Sequence, residues 1–153
     1  MKGGKMITIR EATIEDSDVV YDFIIAISEF HNQRHLVETT RDEVKQSGFE
    51  GDSKFGVLLA EVDGDIAGYC TYTWNYSIWR GVTYMNLDDL FVWDKYRSQR
   101  VGQQLMSKLS EVCVAGGANR IRWEVEKDNA RAINFYNKLG AQVDIKGMCR
   151  WDV

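Results

Sequence analysis

Residues 96–102 read YRSQRVG, between a strand-like run, MNLDDLFVW, and an apolar-periodic helix, QQLMSKLSEVCV. A strand–loop–helix junction of this kind aims free backbone N–H groups and the positive end of a helix dipole at one point, which suits an anion such as a phosphate. Loops that cradle phosphates are usually richer in glycine. This one carries Arg97 and Arg100, with Gly102 in the first helical turn. Glycine is demanded only where φ is positive or a Cβ would touch the ligand. Arg100 lies two residues before Gly102, at the helix entry, where a negative φ is expected. Its guanidinium is then free to swing back to the anion beside Arg97. Gly102 is the position at which a side chain would obstruct that anion.

Upstream, Asp88 and Asp89 are the acidic candidates. On a regular strand they point to opposite faces, so one of them at most faces a bound cation, and the other reading of each is a solvated carboxylate at a bulge. Glu124 and Glu126 share a face by the same alternation, either adding negative potential or lying on the solvent side. In INFYNKL the aromatic stripe has helical spacing. Phe135 and Leu139 read as core, while Tyr136 is turned about 100° from Phe135 around the helix axis and can face elsewhere. Asn129 reads as the cap of that helix.

The remaining reactive side chains point to no chemistry. Cys70, Cys113 and Cys149 lie far apart with no metal or redox spacing, as expected of free thiols in a reducing compartment. His31 and His35, four apart, lack a third ligand, so no metal is expected. A formal charge of −4 and a pI near 5.2 argue against a nucleic-acid footprint. With no signal segment and no apolar run long enough to span a bilayer, no membrane contact is expected and the cytoplasm is the default.

Positioning these groups takes a small α+β (mixed α/β) fold. The 153 residues suit one domain, residues 6–153, after a disordered start at 1–5. MITIRE alternates as a first strand, and TIED resembles a capping box at Thr13 before a helix carrying Val20, Phe23 and Ile27. TTRDEVKQSGF predicts a second helix with a Thr cap and a stop at Gly48. FGVLLAEVDGDIAGYCTYTWNYS predicts a hairpin turning at Asp63-Gly64. A third long strand, VTYMNLDDLFVW, leads into the loop; the helix after it buries Val101, Leu105 and Leu109 and ends at Gly116-Gly117. RIRWEVEK predicts a strand, NARAINFYNKLG a helix, and AQVDI and MCRWDV two closing strands. The sum is a central, mostly antiparallel mixed sheet of about seven strands flanked by about four helices.

Two stretches, DDLFVWDKYRSQRVGQQLM and DNARAINFYNKLGA, in this order and separation, resemble the acetyl-CoA-binding half of the GNAT superfamily of N-acetyltransferases. Arg97, Val101 and Gly102 match its loop motif, and Asn129, Ala132, Phe135, Tyr136 and Gly140 its helix motif. Within the superfamily the chain is most similar to the diamine (spermidine/spermine) and thialysine acetyltransferases. The resemblance implies acetyl-CoA as donor, a small-molecule primary amine as acceptor, no metal, and a homodimer. It implies that Leu90, Phe91 and Val92 pair with the pantetheine arm, and that Arg97, Ser98, Gln99, Arg100, Val101, Gly102 and Gln103 hold the pyrophosphate. Asn129 and Tyr136 also touch the donor, Tyr136 protonates the leaving thiolate, and Asp88 binds or deprotonates the amine, with Asp89, Trp79 and Glu124 around the acceptor. Where the polyamine enzymes carry acidic residues for the far ammonium, this chain has Ser77 and His31, which leaves room for a smaller or less cationic amine. Asp94 replaces a proline, and Arg100 replaces the first loop glycine. The rival functions are an acetyltransferase of protein or peptide amines and a non-catalytic acyl-CoA-binding regulatory domain.

Overall fold

A computed structural model describes residues 3–153. Part of the expected disordered start, residues 1–2, lies outside the described residues; at its other end Lys5 Nζ donates to Gln99 Oε1 at 3.1 Å and the Met6 amide to Asp63 at 2.8 Å. The chain divides into two compact units, one ending at Trp123 and one spanning Glu124–Val153.

The first unit is a sheet with helices on both faces. Strands β1 (Ile7–Glu11), β2 (Gly56–Val62), β3 (Asp65–Ser77), β4 (Val82–Val92) and β5 (Ile121–Arg122) lie in sequence order, antiparallel except for the parallel β4–β5 pair. The β2–β3 turn is the expected one, with Asp63 and Gly64 both at positive φ (50° and 88°). Helix α1 (Ser17–Phe30) follows a 3₁₀ turn at Ile14–Asp16, where the Asp16 carboxylate accepts the Thr13 amide at 2.7 Å and also receives Arg10. Helix α2 (Arg41–Phe49) opens with a reciprocal Thr40–Glu43 capping box. It runs through Gly48 rather than stopping there; the glycine leaves the Phe55 ring the space a Cβ would fill. Helix α3 (Val101–Ala115) buries Val101, Leu105 and Leu109 as its period requires, and Gly117 turns the chain at φ 82°.

Alternation along the strands sorts the core. Val57, Leu59, Tyr69 and Phe91 pack with Val20, Phe23 and Val44 on the α1–α2 face. The neighbouring positions face α3; there the Trp74 ring sits against Gly116 at the end of α3.

Among the described residues the sheet has five strands, not about seven. RIRWEVEK forms a strand only at Ile121–Arg122, so Glu124 and Glu126 are not on a strand face. AQVDI and MCRWDV form no strand; Ile145, Met148, Trp151 and Val153 are exposed. In the second unit, α4 (Ala130–Lys138) starts at Asn129, whose side chain accepts the Ala132 amide at 3.1 Å, and Gly140 follows it at φ 93°.

Candidate functional site

The site of the first unit is built on β4, and its key feature is a bulge. The β3–β4 register runs Thr71↔Asp89 and then Tyr72↔Leu87, leaving Asp88 as the extra residue. A bulge breaks alternation. Before it, Asn86 pairs with Thr73 on the α1 face; after it, Phe91 pairs with Tyr69 on that same face. Asp88 and Asp89 therefore both project toward the α1 face, which corrects the expectation that they point to opposite faces. Asp88 accepts from Asn86 Nδ2 (2.9 Å) and Thr73 Oγ1 (3.3 Å), and Asp89 accepts from Tyr69 Oη (2.8 Å). The Asp89 amide donates to Thr71 Oγ1 at 3.1 Å.

The two carboxyls differ in setting. Asp88 is the more exposed of the two, and Asp89 is half-buried. Burial pushes Asp89 above the ordinary carboxylate range; the Tyr69 bond and His31, at the end of α1, oppose this, and the nearby charge of Asp88 adds to it. Burial also raises Asp88, against the bonds from Thr73 and Asn86. Two partly desolvated carboxylates side by side favour a bound cation, because its charge offsets both penalties.

The second feature is an open edge. β5 pairs with β4 only at Met85 and Asn86, so Leu87–Val92 has no strand partner on that side. The amides of Asp89 and Trp93 turn toward β3, so those of Leu90 and Val92 turn to the open edge. Phe91 pairs with Tyr69 through its backbone, and it contributes a buried ring instead. A groove of about 290 Å³ lies beside this end of β4, lined by Ala26, Glu29, Phe30, Phe91, Trp93, Asp94 and Arg97.

The third feature is the loop into α3. Ser98 and Arg100 both adopt left-handed backbone, at φ 61° and 67°. The negative φ expected at Arg100 is thus wrong. The chain keeps the glycine-type turn that carries it into the helix, and an arginine adopts it at a cost of about 1–2 kcal/mol. No hydrogen bond of the loop takes up the amides of Val101, Gly102 or Gln103, so these first-turn N–H groups are available to an anion. Arg97 does not reach toward them. Its Nε donates to the Val92 carbonyl at 2.9 Å, its Nη1 pairs with Asp94 at 2.6 Å, and its guanidinium lies over Phe30 and Phe91. It anchors the loop to the end of β4. Gln99 braces the loop through the Lys95 carbonyl at 2.8 Å, while the Arg100 side chain is exposed.

Trp79 stands in the β3–β4 turn, 99% exposed. The six β4 residues 82–87 lie between it and Asp88, roughly 20 Å at strand rise, so the structure does not bring the two together. In the second unit Tyr136 is half-buried, its ring 5.4 Å from Phe135, and burial raises its phenol above the ordinary range, which keeps it protonated. Glu124 is exposed. Sequence reasoning missed Tyr69, Thr71 and Thr73; the alternation in GYCTYT puts them on one face, and that was their only signal. Among the described residues no group of His, Cys, Asp or Glu could hold a metal ion, and no helix is long and apolar enough to cross a membrane.

The open strand edge, the free first-turn amides and the glycine-type loop fit a donor with a peptide-like arm and a pyrophosphate, and the twin carboxylates fit a cationic acceptor. Residues 19–141 match the acetyltransferase (GNAT) family. A thialysine N-epsilon-acetyltransferase of Mus musculus is 32% identical over 88% of this chain and 83% of its own length. A spermidine/spermine N(1)-acetyltransferase-like protein 1 of Homo sapiens is 25% identical over 87% of this chain and 20% of its own. Among solved structures, an aminoglycoside acetyltransferase from an uncultured soil metagenomic sample superposes with a TM-score of 0.80 at 18% identity, covering 97% of this chain and 99% of that one.

Proposed function

The chain belongs to the acetyltransferase (GNAT) family and is an N-acetyltransferase, and from this premise we propose that it transfers the acetyl group of acetyl-CoA directly to a primary amine of a small cationic molecule, of the diamine, polyamine or lysine-like amino-acid class. The observation that carries this reading is the bulge that sets Asp88 and Asp89 on one face beside an open strand edge. When bound, acetyl-CoA supplies the activated acyl carbon. The amides of Leu90 and Val92 hold its amide-bearing arm, and those of Val101, Gly102 and Gln103 its pyrophosphate. Arg100 adds charge to the anion site.

At the acceptor, Asp88 and Asp89 attract the ammonium, and Asp88 takes its proton through water. The neutral amine forms the new N–C bond as the C–S bond breaks, with no covalent enzyme intermediate; the nitrogen then sheds its second proton to water, from which the donor phenol is restored. Tyr136, kept neutral by burial, gives its proton to the departing thiolate. Thialysine as acceptor is supported by the relative of that name. The same reading includes a homodimer in the cytoplasm, supported by the exposed Tyr76, Ile78 and Trp79 of the hairpin tip.

The test is a panel of thialysine, spermidine, an aminoglycoside and a short peptide with acetyl-CoA, scored by free thiol. Thialysine or spermidine turnover supports the proposal. Turnover of the peptide alone would move the function to protein amines, and CoA binding without turnover of any amine would favour a regulatory domain.

A further inference from the structure

Tyr69 sits within β3, 0% exposed, its ring stacked on Phe23 at 4.6 Å and 9°. Phenylalanine would fill that place. The hydroxyl is not needed for packing, yet it donates to Asp89 Oδ2 at 2.8 Å, a charge-assisted bond in a partly dry setting. Thr71 fixes the Asp89 backbone from the same strand, through Oγ1 and the Asp89 amide. β3 thus grips Asp89 at both ends while Asp88, one residue earlier and more exposed, rests on Thr73 at 3.3 Å and Asn86 at 2.9 Å.

We propose that Tyr69 is a positioning residue for acetyl transfer: its hydroxyl holds the Asp89 carboxylate aimed at the acceptor face and charged, so that this carboxylate, more than Asp88, fixes the ammonium of the incoming amine. The inference rests on the reading of Asp88 and Asp89 as the acceptor site. The groups that face Asp89 are Tyr69 from β3, Asp88 from its own strand and His31 from the end of α1. Burial and Asp88 favour the neutral acid; Tyr69 and His31 favour the anion. Without the hydroxyl, His31 alone opposes the other two, and the carboxyl is left free to rotate. The Tyr69 phenol itself stays neutral throughout, because burial and Asp89 both raise it. It serves as a donor and not as a base.

The test uses Tyr69→Phe, which keeps the ring on Phe23, in the wild-type and Asp89→Asn backgrounds. Two readouts are taken: kcat/KM for the panel amine that is turned over, against pH, and the carboxyl-¹³C titration of Asp89 in the free protein. Expected are a fall in kcat/KM of about tenfold near neutral pH, carried mainly by KM, and an acid limb about one pH unit higher. The Asp89 titration moves upward by a similar amount. In the Asp89→Asn background the substitution changes kcat/KM less than twofold, because the pair acts as a unit. An unmoved acid limb and an unmoved Asp89 titration overturn the role of Tyr69 while leaving the proposed function intact. A titration that moves while kcat/KM does not, with Asp89→Asn equally silent, would show that Asp89 is not at the acceptor, and the functional reading fails with the inference. An equal loss in both backgrounds would assign Tyr69 an effect independent of Asp89, which also overturns it.

Discussion

Arg100→Gly separates two effects that act on one residue. At φ 67° the arginine Cβ crowds its own backbone, and left-handed conformation costs a non-glycine residue about 1–2 kcal/mol. Glycine removes that cost but enlarges the entropy of the unfolded chain by roughly 0.5–1 kcal/mol. The difference leaves the variant more stable by about 0.5–1 kcal/mol, which for a chain of this size raises Tm by about 1–4 °C. The Arg100 side chain is exposed, so nothing in the fold is lost with it. CoA affinity goes the other way. Loss of one exposed charge beside a pyrophosphate weakens binding by roughly two- to tenfold at low salt, and the gap closes near about 1 M salt. Arg100→Ala is the control: it keeps the left-handed strain, so it shares the affinity loss without the gain in Tm. Thermal melts with calorimetry against CoA at two salt concentrations read all of this. If Arg100→Ala gains as much stability as Arg100→Gly, or if Arg100→Gly lowers Tm, the backbone reasoning is wrong; if Arg100→Gly tightens CoA, the arginine obstructs the anion site.

Gly102→Val, in the first turn of α3, abolishes CoA binding by calorimetry; normal binding would place the anion elsewhere. Tyr136→Phe lowers turnover by roughly 10²–10⁴-fold with CoA affinity unchanged, and wild-type turnover would reduce Tyr136 to packing. Asp89→Asn raises stability at neutral pH even as it impairs catalysis. The sign follows from linkage: burial raises the Asp89 carboxyl in the folded state, so stability falls as pH climbs from the unfolded carboxyl's range through the folded one's, and the variant flattens that slope. A steeper slope in the Asp89→Asn melts, taken across the acid range, would refute it. Asp16 behaves oppositely: Arg10 holds its carboxyl below the usual range, so Asp16→Asn loses stability above the acid range, measured by the same melts, while no loss there would make the Arg10–Asp16 pair inert.

Wherever pattern and backbone agree, the sequence was legible. The Asp63-Gly64 hairpin, the Thr40 cap, the stripe of Val101, Leu105 and Leu109, and the Asn129 cap each follow from local chemistry that nothing distant overrides. The motifs that carry the family resemblance were legible for the same reason. The failures have physical causes. Whether a strand bulges depends on its neighbour's register, so in LDDLF a bulge stood only as an alternative reading of each carboxylate; a single extra residue changed which side chains meet. At Arg100 the side chain argued for ordinary backbone, while the turn geometry imposed by the helix entry prevailed. Arg97 was read as a phosphate ligand from its charge, but two aromatic rings, a carbonyl and Asp94 claim it. The closing strands were read from composition alone, and strand-prone composition by itself does not make a strand.

The central claim is that the carboxylates brought together by the β4 bulge recognise the amine that acetyl-CoA acetylates. Its most direct test measures initial rates of acetyl transfer, with the amine of the panel that is turned over, for the wild type and for the Asp88→Asn/Asp89→Asn double variant, with CoA affinity taken on the same samples. The account predicts a loss in kcat/KM for the amine of about a hundredfold or more, at unchanged CoA affinity. A double variant that acetylates the amine as well as the wild type, with its fold intact, would contradict it.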